Sequence, residues 1–131
     1  MTWTPINSAS VPTHTGLYSL GAAAPGPFVF TAGIVAIDAN GDTVGPGDAR
    51  AQTAYVLEVI RAIVSGAGAD LSDVIQTQIF LRDLDDYAAV NEVYQQHFSA
   101  PFPARFCVQA QLVKPDWLVE IAVIAASKEH R

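Results

Sequence analysis

The stretch PARFCVQAQLVKPDWLVEIAVIA, residues 103–125, decides how the chain is read. Two runs rich in β-branched and apolar residues flank Lys114-Pro115-Asp116, which is turn chemistry. Each run reads as a strand. Side chains alternate faces along a strand, so Arg105, Cys107 and Gln109 share one face and Phe106 and Val108 the other. In the second run Leu118, Glu120, Ala122 and Ile124 share a face opposite Val119, Ile121 and Val123. The two strands are close enough in sequence to pair through the turn from Val113 to Asp116. Such a hairpin brings Arg105 and Glu120 into one region, although periodicity does not fix the register.

Two readings of these charges stand open on the residues alone. Arg105 and Glu120 form a structural ion pair, which stabilises little because desolvation offsets attraction. Alternatively, Arg105 clamps a ligand carboxylate with its planar, two-pronged donor set, and Glu120 manages a proton or a water. Cys107 is either a nucleophile or a small buried hydrophobe, and no histidine partner for it is apparent. His14, His97 and His130 are widely separated and show no metal-ligand spacing, so no metal site is expected. No phosphate-cradling glycine loop and no nucleophile elbow is present.

Outward from this stretch, residues 1–15 read as an irregular lead-in with a short extended piece. GPFVFTAGIVAID, from Gly26, contains a strand, and Gly33 within it marks a bulge or a close backbone approach. DANGDTVGPGD, residues 38–48, is turn sequence, with Asn40-Gly41 as a hairpin signal. Asp48 caps a helix, ARAQTAYVLEVIRAIVSGAG, with a stripe of Val56, Ile60, Ile63 and Val64 and a stop at Gly66 and Gly68. VIQTQIFLRD is the next strand. Asp83 or Asp85 caps a second helix, DDYAAVNEVYQQHF, with Tyr87, Val90, Tyr94 and Phe98 on its buried side. SAPFPA ends it. Tyr18, Tyr87 and Tyr94 read as packing residues, although Tyr18 is placed to line a pocket. Asn91 lies on nearly the same helix face as Tyr87, and a helix-to-loop hydrogen bond is its plain role.

The order of strands, helix, strand, helix, strands predicts a two-layer α+β domain spanning residues 1–131, with a mixed sheet and two helices on one face. An apolar opposite face needs a cover, and a second copy of the chain is the natural one. Of the 131 residues, 50% are hydrophobic, but no run reaches the roughly 18–20 apolar residues of a spanning helix. No membrane association is therefore expected. The N-terminus lacks a signal-peptide pattern, and the single cysteine suits a reducing cytoplasm. Thirteen acidic against seven basic side chains give a net charge of −6, which argues against nucleic acid as a partner.

Pro103-Ala104-Arg105 with Cys107, followed by Leu118-Val119-Glu120-Ile121, resembles the Rid (YjgF) family of enamine/imine deaminases. The likeness continues in Gly16-Leu17-Tyr18-Ser19, Thr31-Ala32-Gly33, Ala51-Gln52-Thr53 and Tyr87-Ala88-Ala89-Val90-Asn91. The spelling of residues 103–125 is similar to the aminoacrylate deaminase branch. The resemblance implies a chorismate-mutase-like fold, a homotrimer with clefts between subunits, and no cofactor. It implies that Arg105 holds a substrate carboxylate and Glu120 positions the hydrolytic water. Tyr18, Thr31, Asn91 and Cys107 would contribute to the cleft, Cys107 largely through its backbone. The activity implied is hydrolytic deamination of small enamine or imine acids such as 3-aminoacrylate or 2-aminoacrylate; the alternative is a non-catalytic trimer that binds small carboxylates. Ala32-Gly33-Ile34 stands where many relatives have Ser-Gly-Gln, and Leu17 where they have Pro, so the cleft wall is more apolar here.

Overall fold

The computed structural model describes residues 1–11 and 16–128. His14 and His130 lie outside the described residues. The elements are β1 (Thr4–Ile6), β2 (Gly21–Ala23), β3 (Phe28–Phe30), β4 (Ile34–Val35), α1 (Ala49–Ser65), β5 (Val74–Leu81), α2 (Tyr87–His97), β6 (Ala104–Gln109) and β7 (Val119–Ala126). β1 and β2 form a separate antiparallel ribbon. The main sheet runs β3-β7-β5-β6, with β4 also pairing β7. β5 and β6 are parallel, joined by the α2 crossover, whereas β7 is antiparallel to its neighbours. The mixed sheet with helices packed on one face meets the two-layer α+β expectation.

The expected hairpin of residues 103–125 does not form. β5 lies between β6 and β7, so these sequence neighbours are not sheet neighbours. The reason is the crossover: β6 leaves α2 parallel to β5, and the loop from Ala110 to Leu118 carries the chain past β5 to its other edge. Arg82 holds that loop in place, donating from Nε to the Trp117 carbonyl and from Nη2 to the carbonyls of Leu112 and Lys114. Gln52, fully buried on α1, accepts from Leu118 N–H at 2.9 Å and donates to the carbonyls of Asp116 and Gly45.

Asp48 caps α1 as expected, accepting from Ala51 N–H at 3.0 Å. Val56, Leu57, Ile60 and Val64 of α1 are fully buried, each worth about 1.5–3 kcal/mol of transfer free energy. Ile63, expected in that stripe, is exposed, and Leu57 takes its place. Gly68, at φ +77°, takes the left-handed turn that lets Ala69 N–H reach the Val64 carbonyl. Asp83 opens the turn before α2 by accepting from Asp85 N–H. The strand expected within residues 26–38 runs as two pieces, β3 and β4, which both pair β7, and the Ala32-Gly33 segment between them, where a bulge or close approach was expected, leaves the ladder.

The core lies between the helices and the inward residues of the sheet: Thr77, Ile79 and Leu81 of β5, and Val119, Ile121, Val123 and Ala125 of β7. The other sheet face is apolar and open. Phe30 is 69% exposed there, accompanied by the exposed Phe28, Phe106 and Val108. Among the described residues, no helix is long and apolar enough to cross a membrane.

Candidate active site

Arg105 lies on the outer strand β6, opposite Thr77 in register. Register partners share a face, so its side chain leaves toward the helix layer. Three residues of α2 receive it. Tyr87, Asn91 and Tyr94 recur at helical spacing and therefore share one side of the helix. The guanidinium carbon sits 4.7 Å from the centroid of the Tyr94 ring and 5.6 Å from that of Tyr87. Its Nη2 donates to Asn91 Oδ1 at 2.6 Å and to the Tyr87 hydroxyl at 3.2 Å. Its Nη1 is buried and has no hydrogen-bond partner.

The floor under the cation is itself fixed. The Tyr94 hydroxyl is 2.9 Å from Thr77 Oγ1, and its ring stacks on Phe98 at 4.5 Å between centroids. Burial pushes the Tyr94 phenol up to about 12, with the Thr77 hydrogen bond and Arg105 opposing. Among the described residues no carboxylate lies within ion-pair distance of Arg105. A half-buried cation on aromatic faces, with neither N–H of Nη1 partnered, is suited to interact with an anion.

Cys107 lies two residues along the same face, opposite Ile79. Burial pushes its thiol up and the nearby Arg105 opposes this only in part. The side chain is therefore held as the neutral thiol near neutral pH, the poorer nucleophile.

Glu120 is not beside Arg105. It stands opposite Phe80 and Val35, and Phe80 packs edge-on against Phe106 on the open face. Thr77 and Phe80 have opposite parity, so Arg105 and Glu120 leave the sheet from opposite sides. They are also offset by three residues of β5, about 10 Å, and by two strand spacings, again about 10 Å. Of the readings left open, the ion pair is excluded within one chain, and Glu120 does not approach the face that Arg105 and Cys107 share. Glu120 instead lies over Gly33, where an added Cβ would collide with its Oε2. The close backbone approach expected at Gly33 is thus an approach to this carboxylate.

The remaining expected site residues are scattered. The Thr31 hydroxyl is spent on β7, accepting from Val123 N–H and donating to the Ala32 carbonyl. Tyr18 lines a cavity of about 400 Å³ with Asn7, Leu20, Pro101 and Phe102, which contains neither Arg105 nor Glu120. Asn91 exceeds its expected helix-to-loop role and holds the guanidinium. Tyr87, expected in the buried stripe, is 44% exposed and sits at the rim of the Arg105 site. Sequence reasoning missed Tyr87 and Tyr94 as contacts of Arg105; their spacing from Asn91 on one helix face was the available signal. His97 contacts the Val93 carbonyl and Glu58, and no metal-ligating cluster occurs among the described residues.

A parallel β-α-β unit, with an arginine at its outer strand cradled by the crossover helix, defines the class of this α+β protein. The chain belongs to the YjgF/Rid family: the family model described as endoribonuclease L-PSP matches residues 8–127. A 3-aminoacrylate deaminase, RutC, of Acinetobacter baylyi is 54% identical over 97 residues, 74% of this chain and 77% of that protein. The crystal structure of a YjgF-family protein of Neisseria meningitidis is 36% identical with a TM-score of 0.71, covering 89% of this chain and 92% of that one. A Rid-family protein of Yersinia pestis aligns with a TM-score of 0.84 at 27% identity, covering 96% and 99% of the two chains.

Proposed function

We propose that this chain is a cofactor-independent enamine/imine deaminase that acts on small carboxylate substrates such as 3-aminoacrylate in the cytoplasm. The observation that carries the proposal is Arg105: a cation with no carboxylate partner among the described residues, lying on Tyr94, with Nη1 buried and unsatisfied. An unpaired buried donor costs about 1–3 kcal/mol, which an incoming carboxylate would offset. The likeness to a 3-aminoacrylate deaminase supports the substrate class.

In this reading Arg105 binds the substrate carboxylate. The enamine is protonated at the carbon next to that carboxylate, giving an iminium at the far carbon. Water adds to the iminium carbon, and the carbinolamine collapses with loss of ammonia. For 3-aminoacrylate the products are malonic semialdehyde and ammonia. Glu120 takes the proton of the attacking water. Positioning together with general acid–base catalysis accounts for the modest acceleration a labile enamine requires, the latter contributing roughly 10²–10⁴-fold.

Glu120 lies on the exposed apolar sheet face, opposite Arg105, and this favours a site completed between copies. We propose that a homotrimer covers that face. The same separation favours a second reading, in which Arg105 binds carboxylates without turnover. Arg50 and Arg61 are paired with Glu92 and with Glu58 and Asp70, which leaves them poor phosphate ligands and disfavours a nucleic-acid partner.

The test generates 3-aminoacrylate in situ and follows ammonia release with wild type and Arg105→Ala. Acceleration by wild type alone is expected. Saturable carboxylate binding without acceleration selects the second reading, and equal rates for both proteins overturn the role of Arg105.

A further inference from the structure

The Glu120 carboxylate has no hydrogen-bond donor of its own among the described residues; it rests over Gly33. Its place is therefore set by two backbone segments. One is the entry to β7, which carries Glu120. The other is β4 with the Ala32-Gly33 segment before it, because Val35 of β4 is the register partner of Glu120.

One buried side chain ties these segments together. Gln52 of α1 is fully buried. Its Oε1 accepts from the N–H of Leu118 at 2.9 Å, just before β7 begins. Its Nε2 donates to the Asp116 carbonyl at 2.9 Å on the same approach, and to the Gly45 carbonyl at 3.2 Å. Gly45 follows Val44, whose N–H donates to the Ala36 carbonyl at 2.8 Å. Ala36 follows Val35, so this link ends beside the strand that pairs with Glu120. The Leu118 carbonyl is fixed as well, accepting from the Arg82 N–H at 3.0 Å. A carboxamide supplies the acceptor and the two donors that these three places need. A carboxylate would turn an oxygen toward carbonyls, and a hydrocarbon would leave all three backbone groups without this partner.

We propose that Gln52 is a positioning residue for the reaction: its carboxamide locks the entry of β7 against the segment that follows β4, and so sets where the Glu120 carboxylate stands. Gln52 does not touch substrate. It acts through the backbone on either side of the carboxylate, from the opposite layer of the fold.

This inference rests on the proposed role of Glu120 as acceptor of the proton from the attacking water, and the experiment separates the two. Full-length Gln52→Met keeps the length and burial of the side chain and loses its donors. With 3-aminoacrylate generated in situ, kcat for ammonia release is expected to fall about ten- to hundred-fold, the effect of a small misplacement of a reacting group. KM should stay near wild type, since nothing at Arg105 changes. The same substitution in a Glu120→Gln background should cause no further fall, because the two residues act as one unit. The carboxyl carbon NMR signal of Glu120 should move in Gln52→Met while that of Glu58, also on α1, stays. Should Gln52→Met not fold, the α-hydroxy analogue of leucine at position 118 removes only the N–H that Gln52 accepts, and it should lower kcat in the same pattern. Wild-type kcat in the folded variant, or the same fractional loss with and without the Glu120 carboxylate, overturns the positioning role and leaves the role of Glu120 standing. Wild-type kcat in Glu120→Gln itself overturns both.

Discussion

Arg105 stands opposite Thr77 on one edge of the sheet and Glu120 opposite Phe80 two strands away, so the two side chains leave the sheet from opposite faces. A guanidinium meets the helix layer, and a carboxylate meets the exposed apolar face. One chain therefore holds a guanidinium on aromatic faces and, separately, a carboxylate resting on Gly33. Chemistry that used both would need them brought together from two copies, as in the proposed trimer.

Arg105→Ala should raise KM for the carboxylate substrate, since it removes charge-assisted contacts worth about 1.5–3 kcal/mol, or roughly ten- to hundred-fold. Arg105→Lys should recover only part of this, because an ammonium lacks the plane that lies on Tyr94. Steady-state kinetics on both variants checks the order wild type, Lys, Ala.

Phe30→Asp should break the proposed trimer. Phe30 is the most exposed aromatic of the open face, and a carboxylate buried there without a partner is costly. Light scattering should show a smaller species with loss of activity, while propionate binding at Arg105 persists. An unchanged assembly would remove this face from the interface.

Cys107→Ala should retain most of the activity. Because burial holds the thiol above its ordinary range, alkylation of native Cys107 should lag behind that of a free cysteine through neutral pH and rise only at higher pH. Mass spectrometry of iodoacetamide-treated protein across pH reads this directly. Rapid labelling at pH 7 would contradict the neutral-thiol assignment.

Tyr94 should make the fold sensitive to alkali. Its folded pKa of about 12 exceeds the unfolded value of about 10, so its neutral form is favoured by the native state. The contribution is intact below about pH 10 and is lost as pH rises toward 12, amounting to about 3 kcal/mol at most. The difference between wild type and Tyr94→Phe in urea midpoints should shrink over that window. A constant difference would contradict it.

Gly33→Ala should lower kcat far more than stability. The new methyl collides with the Glu120 carboxylate, the flexible end of an incompletely buried side chain, so the fold tolerates what the carboxylate position does not. Thermal melts beside kinetics check this, and wild-type kcat with an unchanged Tm would remove Glu120 from the chemistry.

Much of the architecture was legible in the sequence. Asp48 capping α1 and the Gly66/Gly68 stop are local signals, and each acts through its own few residues. Alternation along residues 104–109 and 119–126 correctly placed Arg105 with Cys107, and Glu120 with Ala122. The site was legible in part. Arg105 and Asn91 do meet, but Tyr87 and Tyr94 looked like packing residues because helix periodicity marks a face without saying what covers it. Thr31 looked available, yet its hydroxyl is consumed by the β7 backbone.

The sequence by itself determined the elements, their caps and the parity of every side chain within its own strand, because these follow from backbone periodicity and nearest-neighbour hydrogen bonding. Only the tertiary structure decided that β5 comes between β6 and β7, and so which strand's parity is read against which. That choice is made by the parallel crossover through α2 and by Gln52 and Arg82 holding the loop before β7, contacts between residues far apart in the chain. It placed two charges, whose register the sequence left open, on opposite faces of one sheet.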